Sequence, residues 1–331
     1  MTQTTDATKK QIQMVDEAIE HSRRDIEGRV VVITGGARGI GGAMADGLLR
    51  AGAKVVAADK TWNGADDRRQ RLESSGQGLA IEMDVTDDAQ LDAGYAAVIE
   101  RFGTTDVLIN NAALVSETLF APRGRVKTLD TTDADWETMF RVNVFGVMKA
   151  IRRFIQPMLE KERGSIINVV SSGVLPVAAG GGWFGLRPFT LEMPYQASKA
   201  AVMAMGFYLG EEVRNQGVAV NAIMPGHTRA SWFDTTALAW QEQGVTYGFR
   251  PVVPEHLVPI TLFLAGQDGH GVNGMLYAVA DWNLDHGFGK YEAWADHTFP
   301  PELEEMYAKA EAEMPAGRPS MGVNTPTMRR G

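Results

Sequence analysis

The sequence feature that most constrains the fold is a run of β-branched residues that ends in a cluster of glycines. Residues 30–33 read Val-Val-Val-Ile, and residues 34–42 read Thr-Gly-Gly-Ala-Arg-Gly-Ile-Gly-Gly. β-Branched residues suit a strand that is buried on both faces, and glycines let a ligand phosphate approach backbone N–H groups closely. A helix that starts behind such a loop favours an anion at its N-terminus. The stretch therefore predicts a strand, a phosphate-binding loop and a helix.

The glycine spacing alone specifies a nucleotide loop only loosely. Gly35, Gly39 and Gly41 do not follow the Gly-x-Gly-x-x-Gly pattern of the best-known dinucleotide fingerprint, and a glycine cluster by itself is often a turn. Asp59 supplies a second signal, because it ends another apolar run at residues 54–58. A βαβ unit places such a carboxylate near the ribose hydroxyls of the adenosine. Together the two features predict a bound nicotinamide dinucleotide.

Composition excludes several classes of function. The 331 residues carry a net charge of -9 without a basic stripe, so the sequence predicts no nucleic-acid partner. The absence of cysteine excludes disulfides, thiolate metal sites and a cysteine nucleophile. No apolar span is long enough to cross a bilayer, and residues 1–10 lack the apolar core of a signal peptide. We therefore expect a cytoplasmic protein without a membrane partner.

From residue 30 onward the apolar patterns alternate between strand and helix. Strands are predicted at residues 30–33, 55–59, 79–85, 107–110, 165–170, 219–224 and 275–280, and helices at 40–51, 87–102, 133–159, 195–215 and 256–265. This alternation predicts an α/β fold with a doubly wound parallel sheet and helices on both faces. We expect one domain over residues 29–281, with a helical extension in residues 1–28 and a C-terminal tail at residues 282–331.

Several sequence blocks, in a fixed order between residues 30 and 280, resemble the short-chain dehydrogenase/reductase family. The blocks are Thr34-Gly-Gly-Ala-Arg-Gly-Ile-Gly41, Asp84-Val85, Asn110-Asn111-Ala112-Ala113, Asn143, Ser171-Ser172, Tyr195-Gln-Ala-Ser-Lys199 and Pro225-Gly226. Ala113 replaces the glycine of the family's Asn-Asn-Ala-Gly block. The resemblance implies a Rossmann fold and an enzyme that interconverts a secondary alcohol and a ketone with a nicotinamide cofactor.

Tyr195 and Lys199 are the predicted acid–base pair. They are four residues apart at the start of a predicted helix, so their side chains lie on one face and can share a substrate and a cofactor ribose. A free tyrosine, with a pKa of about 10, is a poor base at neutral pH, and a nearby ammonium favours its phenolate. A surface tyrosine and lysine on an ordinary helix is the competing interpretation, and the other blocks argue against it.

Two further side chains complete the predicted catalytic set. Ser172 follows an apolar strand, and its hydroxyl is placed to hydrogen-bond the substrate oxygen as charge shifts onto that oxygen. By resemblance the second serine of the pair is catalytic, so Ser172 is preferred over Ser171. Asn143 lies in the middle of a predicted helix, where asparagine competes with helix hydrogen bonds. In the family this asparagine holds a water on the proton path to the lysine.

The choice of cofactor presents a conflict between two residues. Arg38 resembles the basic residue that grips the 2'-phosphate of NADP in some relatives, whereas Asp59 occupies the position that binds the bare ribose diol of NAD. A carboxylate in contact with a phosphate of about two negative charges is strongly repelled, so NAD is favoured. The predicted cofactor contacts are Gly35, Arg38, Gly39, Ile40, Gly41, Asp59, Asp84, Val85, Asn111, Ala112, Tyr195, Lys199, Pro225, Gly226 and Thr228. Asp84 is expected at the adenine, Asn110 and Ala112 are expected to line the nucleotide cleft, and either Thr228 or Ser231 supplies the hydroxyl for the nicotinamide amide.

The substrate side is defined by two long segments. An added loop at residues 173–194 is rich in aromatics, which argues against simple disorder. It either lines an apolar pocket or packs on a neighbouring subunit. A substrate lid is expected at residues 226–253, in an irregular stretch. The predicted pocket residues are Trp183, Phe184, Arg187, Phe189, His227 and Trp232, with Arg187 available for a substrate carboxylate.

The C-terminal segment contains a second set of candidates. His286 and His297, with neighbouring aspartates, have the composition of a metal cluster, but hydride transfer needs no metal and we predict none. Apolar residues at 303, 306, 307, 310 and 314 predict an amphipathic helix that crosses to a neighbour or closes over the lid near Trp232. We expect a homo-oligomer, a dimer or a tetramer. Two other functions stay open: an NADPH-dependent carbonyl reductase that uses Arg38, and an inactive nucleotide-binding regulatory protein.

Overall fold

A seven-stranded, all-parallel sheet forms the centre of the computed structural model, which describes residues 6–175, 192–244, 246 and 249–312. The strands are β1 (Val30–Thr34), β2 (Lys54–Asp59), β3 (Gly78–Glu82), β4 (Val107–Asn110), β5 (Gly164–Val169), β6 (Val218–Met224) and β7 (Leu276–Ala278). Their spatial order is β3-β2-β1-β4-β5-β6-β7. This is the predicted doubly wound Rossmann-type sheet.

Helices cover both faces of the sheet. They are α1 (Asp6–Ile26), α2 (Gly39–Arg50), α3 (Asp66–Ser74), α4 (Asp88–Phe102), α5 (Ser116–Leu119), α6 (Asp133–Phe140), α7 (Val147–Phe154), α8 (Gln156–Glu160), α9 (Tyr195–Val213), α10 (Phe233–Gln241), α11 (Val258–Ala265), α12 (Val279–Asp285) and α13 (Pro301–Ala312). Buried side chains of α1, α2, α11 and α12 form the core on one face, and those of α4, α7 and α9 form the core on the other. Successive residues of β1 alternate between these two cores, as the period of a strand requires.

The order in which the chain adds strands to the sheet reverses between β1 and β4: β2 and β3 lie on one side of β1, and β4 to β7 lie on the other. Thr34 is paired in register with Asn110, and Asn110 is paired with Asn168, so the carboxyl ends of three central strands lie side by side. Ligands of doubly wound sheets bind outside the carboxyl ends of strands, at this kind of switch point. The topology therefore brings the glycine loop and the polar strand ends to one edge.

Several predicted elements differ from those observed. The strand predicted at residues 79–85 ends at Glu82. The long helix expected at residues 133–159 is divided into α6, a π-helical segment (Arg141–Gly146), α7 and α8, and Pro157 lies in the first turn of α8, where a proline is tolerated. The last strand ends at Ala278, because the chain turns into α12. The lid segment, expected to be irregular, contains the helix α10.

The two ends of the described chain both pack on the sheet domain. Val15, Ala18, Ile19 and Ile26 of α1 belong to the same buried cluster as residues of α11. Trp282 and Trp294, in the segment assigned by sequence to the C-terminal tail, are buried in that cluster as well. The packed core therefore includes part of the segment that the strand pattern left unassigned.

Helix α13 closes over the lid, which is one of the two arrangements that the sequence left open. Leu303 and Tyr307 are fully buried and form an aromatic cluster with Phe233 of α10 and Phe299. The Tyr307 ring lies 5.1 Å from that of Phe299 and 6.3 Å from that of Phe233. Arg250, also buried, pairs with Glu304 at 2.8 Å and Glu311 at 2.9 Å. The lid and α13 thus form one packed unit.

None of the described helices is long and apolar enough to span a membrane. Within the same residues, no group of three or more His, Cys, Asp or Glu side chains is arranged to hold a metal. His286, considered above for such a group, stacks on Trp282 with ring centroids 4.0 Å apart.

Candidate active site

The glycine loop after β1 is held in place by the segment after β4. The Asn111 side chain donates to the backbone oxygens of Thr34 at 3.1 Å and Gly35 at 2.9 Å. Gly35 has a positive φ of 67°, and a Cβ there would lie 2.9 Å from Ala112 Cα and from Asn111 Nδ2. A Cβ on Gly41 would lie 2.1 Å from the Gly35 oxygen. These close approaches explain why the loop needs glycine at both positions.

The start of α2 provides the features of an anion site. No side chain caps its N-terminus, where Arg38 is the N-cap residue, so its first N–H groups are not satisfied by a cap. Gly39 has a φ of 52°, and a Cβ there would have no described neighbour closer than Ala230 at 3.9 Å. Ile40 follows it and packs against the core. An uncapped helix start beside open space fits a pyrophosphate.

Asp59 and Arg38 lie next to each other at the carboxyl end of β2. One oxygen of Asp59 accepts a hydrogen bond from the Ala37 N–H at 3.1 Å, which links β2 to the glycine loop. The Arg38 guanidinium donates to the backbone oxygens of Thr61, at 3.4 Å, and Asn63. The loop, the helix start and the carboxylate together fit a nicotinamide dinucleotide, and the contact of Asp59 with its ribose stays a prediction.

Asp84, Val85 and Asn110, which were also predicted near the cofactor, make contacts within the protein. Asp84 accepts hydrogen bonds from the N–H and the hydroxyl of Thr86, both at 2.8 Å. Val85 is buried, and a Cβ on Gly146 would meet it at 2.7 Å. The Asn110 side chain does not reach the cleft as expected, because it is buried and donates to Asn168 Oδ1 at 2.9 Å. Asn111 and Ala112, the next two residues, are half-buried, and their contact with the cofactor stays a prediction.

Tyr195 and Lys199 lie together in the first turns of α9. The Lys199 ammonium is 5.8 Å from the centre of the Tyr195 ring and donates to the Val169 oxygen at the end of β5, at 2.9 Å. Lys199 is fully buried, and this loss of solvation lowers its pKa to about 8. Tyr195 is half-buried. A buried cation beside a phenol favours the phenolate.

The two serines after β5 have different surroundings. The Ser171 hydroxyl accepts a hydrogen bond from the Gly173 N–H at 3.2 Å and caps the short turn Ser172–Val174. This turn contacts α9. A Cβ on Gly173 would lie 2.2 Å from the side-chain amide of Gln196, the residue after Tyr195. Ser172 is therefore near the start of α9, and the Ser171 hydroxyl has a local capping role.

Asn143 is fully buried in the π-helical segment. Its carbonyl oxygen accepts from the Leu114 N–H at 2.8 Å, and its amide donates to the Leu114 oxygen and to the Ser198 hydroxyl, both at 2.9 Å. The Ser198 hydroxyl in turn donates to the backbone carbonyl oxygen of Tyr195 at 2.7 Å. Asn143 thus connects the loop after β4 with the first turn of α9. Its predicted role in holding a water stays a prediction.

The lid begins at Pro225 and Gly226, directly after β6. Gly226 has a φ of 76°, and the Thr228 hydroxyl is buried and donates to the Pro225 oxygen at 3.3 Å. His227 is buried between Phe233 and Phe249, with ring centroids 5.1 and 4.9 Å away. Ser231, the alternative to Thr228, is exposed.

Trp232, at the start of α10, is half-buried and packs against Phe233. Trp183, Phe184, Arg187 and Phe189 lie outside the described residues, so their predicted pocket roles stay predictions.

Comparison with known proteins identifies this arrangement. The short chain dehydrogenase family model matches residues 29–241. The chain belongs to the short-chain dehydrogenase/reductase family. It is 65% identical to fluoren-9-ol dehydrogenase of Terrabacter sp. (strain DBF63) over 312 residues, which are 94% of this chain and 87% of that protein. It is 28% identical to a 3-oxoacyl-[acyl-carrier-protein] reductase of Vibrio cholerae over 254 residues, 76% of this chain and 95% of that one.

A solved structure shares the fold of this dehydrogenase. The crystal structure of 3-ketoacyl-(acyl-carrier-protein) reductase from Brucella melitensis complexed with NADH superposes with a TM-score of 0.63 and 25% identity. The match covers 77% of this chain and 97% of that chain. The protein is thus an oxidoreductase of the short-chain dehydrogenase type that interconverts a secondary alcohol and a ketone with a nicotinamide cofactor.

Several residues of this site were missed by sequence reasoning. Ser198 stands inside the Tyr195–Lys199 block, so its place next to the tyrosine was a usable signal. Arg68 was not detectable, because it comes from α3 to donate to the Ala37 oxygen at 2.8 Å and to Asp46. Arg125 and Glu192 come from two loops, and nothing local marks them as partners.

Lys199→Met is expected to abolish turnover and to stabilise the cofactor-free protein at pH 7. Because the pKa of folded Lys199 is lowered to about 8 from 10.5, keeping this charge buried costs about 3 kcal/mol of folding free energy below pH 8. The lost hydrogen bond to Val169 offsets about 1 kcal/mol of the gain. The variant's Tm should exceed that of the wild type at pH 7, and the difference should shrink as the pH rises from about 8 towards 10.5.

Lys149→Met is the control for this measurement, because it removes a half-exposed lysine that pairs with Asp88 at 2.7 Å. It should not raise the Tm at any pH. A Lys199→Met protein that is less stable than the wild type at pH 7 would contradict the argument.

Proposed function

We propose that this dehydrogenase oxidises an uncharged aromatic secondary alcohol of the fluoren-9-ol type with NAD, and reduces the corresponding ketone with NADH, using Tyr195 as the acid–base. The observation that carries the chemistry is the buried ammonium of Lys199 beside the Tyr195 ring, at the carboxyl edge of the sheet. The observation that favours this substrate class is the 65% identity to fluoren-9-ol dehydrogenase over 94% of the chain.

The proposed reaction divides the two hydrogens of the alcohol. A nicotinamide cofactor held by the glycine loop would supply the acceptor for the hydride of the carbinol carbon. The phenolic oxygen of Tyr195 takes the hydroxyl proton. Lys199 favours the phenolate form that accepts this proton, and its bond to Val169 fixes the position of the ammonium. Ser172 donates a hydrogen bond to the substrate oxygen, on which charge develops during the transfer. Asn143 fixes the first turn of α9 through Ser198.

Purified enzyme should reduce NAD in the presence of fluoren-9-ol and oxidise NADH in the presence of fluoren-9-one, as measured by the absorbance of the reduced nicotinamide. Tyr195→Phe should abolish both reactions yet still bind NADH in a fluorescence titration, because the substitution removes only the phenolic hydroxyl group that exchanges the proton. Residual activity within about tenfold of the wild type would mean that another acid–base group exists. A wild-type enzyme inactive on aromatic secondary alcohols and active on acidic ones would contradict the proposed substrate class.

We infer NAD as the cofactor from the charges near the glycine loop. Asp59 presents its carboxylate beside the Ala37 N–H, where a 2'-phosphate would meet a like charge. The cation that would have to compensate, Arg38, already donates to two backbone oxygens of the loop after β2. These contacts support NAD over the NADPH-linked alternative.

Asp59→Ser should weaken NAD and improve NADP, because it removes the repulsive charge while keeping an acceptor for the Ala37 N–H. The measurement is the kcat/KM for NAD divided by the kcat/KM for NADP, and this ratio should fall by at least about tenfold. Adding Arg38→Gln to this variant should reverse the gain for NADP if Arg38 then grips the phosphate. A wild-type enzyme that already prefers NADP would refute the electrostatic argument.

We further propose that the enzyme forms a homo-oligomer through two neighbouring helical surfaces. Phe145 of the π-helical segment is 57% exposed, and Tyr208 of α9 is 77% exposed. The two helices contact each other. Large apolar side chains exposed on adjoining helices are typical of surfaces covered by a second copy of the chain.

Placing a charge on this surface should lower the mass of the assembly. The double variant Phe145→Glu and Tyr208→Glu is expected to give a smaller particle in light scattering, because each carboxylate would be desolvated at the contact. Leu129→Glu is the control, because Leu129 is 96% exposed on a separate short turn. An unchanged mass in the double variant would rule out this surface.

A further inference from the structure

We propose that Arg125 is a positioning residue that couples the lid helix α10 to Tyr195 and Ser172. The inference rests on the proposed function, since it assigns Arg125 a role in the same site. It is carried by a continuous set of contacts between four segments that are separate in the sequence.

The first contact joins Arg125 to the lid. The ring of Trp240, near the end of α10, faces the Arg125 guanidinium at 5.3 Å. The indole N–H of Trp240 donates to the oxygen of Arg123 at 3.0 Å. A guanidinium over the indole ring and a hydrogen bond two residues away hold this end of α10 against the loop after α5. Movement of α10 therefore requires Arg125 to lose a stacking partner.

The second contact is a buried ion pair. Arg125 lies 3.6 Å from Glu192, and the two side chains are only 9% and 10% exposed. Removing one partner of such a pair leaves the other charge buried without compensation, which is strongly unfavourable. The pair therefore ties the loop after α5 to the segment that leads into α9. It also means that the charge of Arg125 is already balanced, which fits an uncharged substrate.

The third contact carries this link to the reacting groups. Glu192 accepts the backbone N–H of Gln196 at 3.1 Å, and its carboxylate accepts the Gln196 side-chain amide. Gln196 directly follows Tyr195, and its amide lies against Gly173, which directly follows Ser172. Gln196 thus adjoins Tyr195 in the chain, and its side chain contacts the residue that follows Ser172. Through Glu192, Arg125 fixes the backbone on which both hydroxyl groups are placed.

The arrangement has a functional consequence. When α10 is closed, Trp240 completes the surroundings of the Arg125–Glu192 pair, and the Tyr195 and Ser172 segments are held together. When α10 opens, the ion pair loses its cover and the two segments are less constrained. Misplacement of about an ångström at a reacting group is enough to reduce a rate by orders of magnitude. Arg125 therefore acts on turnover and not on cofactor affinity.

The test compares Arg125→Gln with the wild type in three measurements: kcat and KM for the alcohol, NADH binding by fluorescence, and amide hydrogen exchange of residues 192–199 and 233–241. We expect kcat/KM to fall by at least about tenfold, NADH affinity to stay within about twofold, and exchange to accelerate in both segments. Arg125→Lys, which keeps the charge, should recover part of the loss. The double variant Arg125→Gln and Glu192→Gln should be less impaired than Arg125→Gln alone, because no unpaired charge remains.

Arg153→Gln is the matched control, because Arg153 pairs with Asp88 and Asp92 on α4, and its kinetics should equal those of the wild type. If Arg125→Gln does not fold, Trp240→Leu tests the same link from the lid and should also lower kcat/KM without weakening NADH binding. A kcat/KM within about twofold of the wild type, or a parallel loss of NADH binding, would overturn the proposal. A wild-type enzyme without turnover would instead refute the proposed function, and hydrogen exchange would still report on the coupling.

Discussion

The parallel pairing of β1 with β4 is the constraint on which the rest of the site depends. It places Thr34 level with Asn110, so that the chain leaves both strands at the same edge. Asn111 then reaches the backbone oxygens of the glycine loop, and the glycines admit this approach because a Cβ at Gly35 or Gly41 would collide with it. A different strand order would separate these residues. The cofactor end of the site is thus a property of the sheet order as much as of the glycines.

Three buried cations in this protein differ in the groups that compensate their charge. Arg250 is neutralised by Glu304 and Glu311, and it ties α13 to the lid region. Arg125 is neutralised by Glu192 between two loops. Lys199 has a backbone oxygen as its hydrogen-bond acceptor, and burial lowers its pKa. The two arginines hold separate segments of the chain together. The buried charge of Lys199 instead lowers the stability of the fold, and its function is to favour the phenolate of Tyr195.

The C-terminal segment covers the apolar face of the lid helix α10. Helix α10 alone would be a short helix with one apolar face, which is marginal without a partner. Phe299, Leu303 and Tyr307 cover that face, and Arg229 pairs with both Asp234 of α10 and Asp296. The side of α10 near Trp240 contacts Arg125. The lid is therefore held on two sides, by the C-terminal helix α13 and by the loop after α5.

The sequence by itself determined the sheet, the glycine loop and the identity of the groups at its edge, because these depend on local patterns. A β-branched run, a glycine cluster and a Tyr-x-x-x-Lys pair on one helical face each fix a structure within a few residues. Asn143 shows the limit of this reasoning. Its unfavourable place in a helix was visible, but its partners Leu114 and Ser198 were not. Only the tertiary structure decided that α13 covers the lid, that Asn110 points away from the cleft, and that Arg125 meets Glu192. These outcomes join residues that are distant in the chain, and burial and charge pairing between such residues leave no periodicity for a sequence to display.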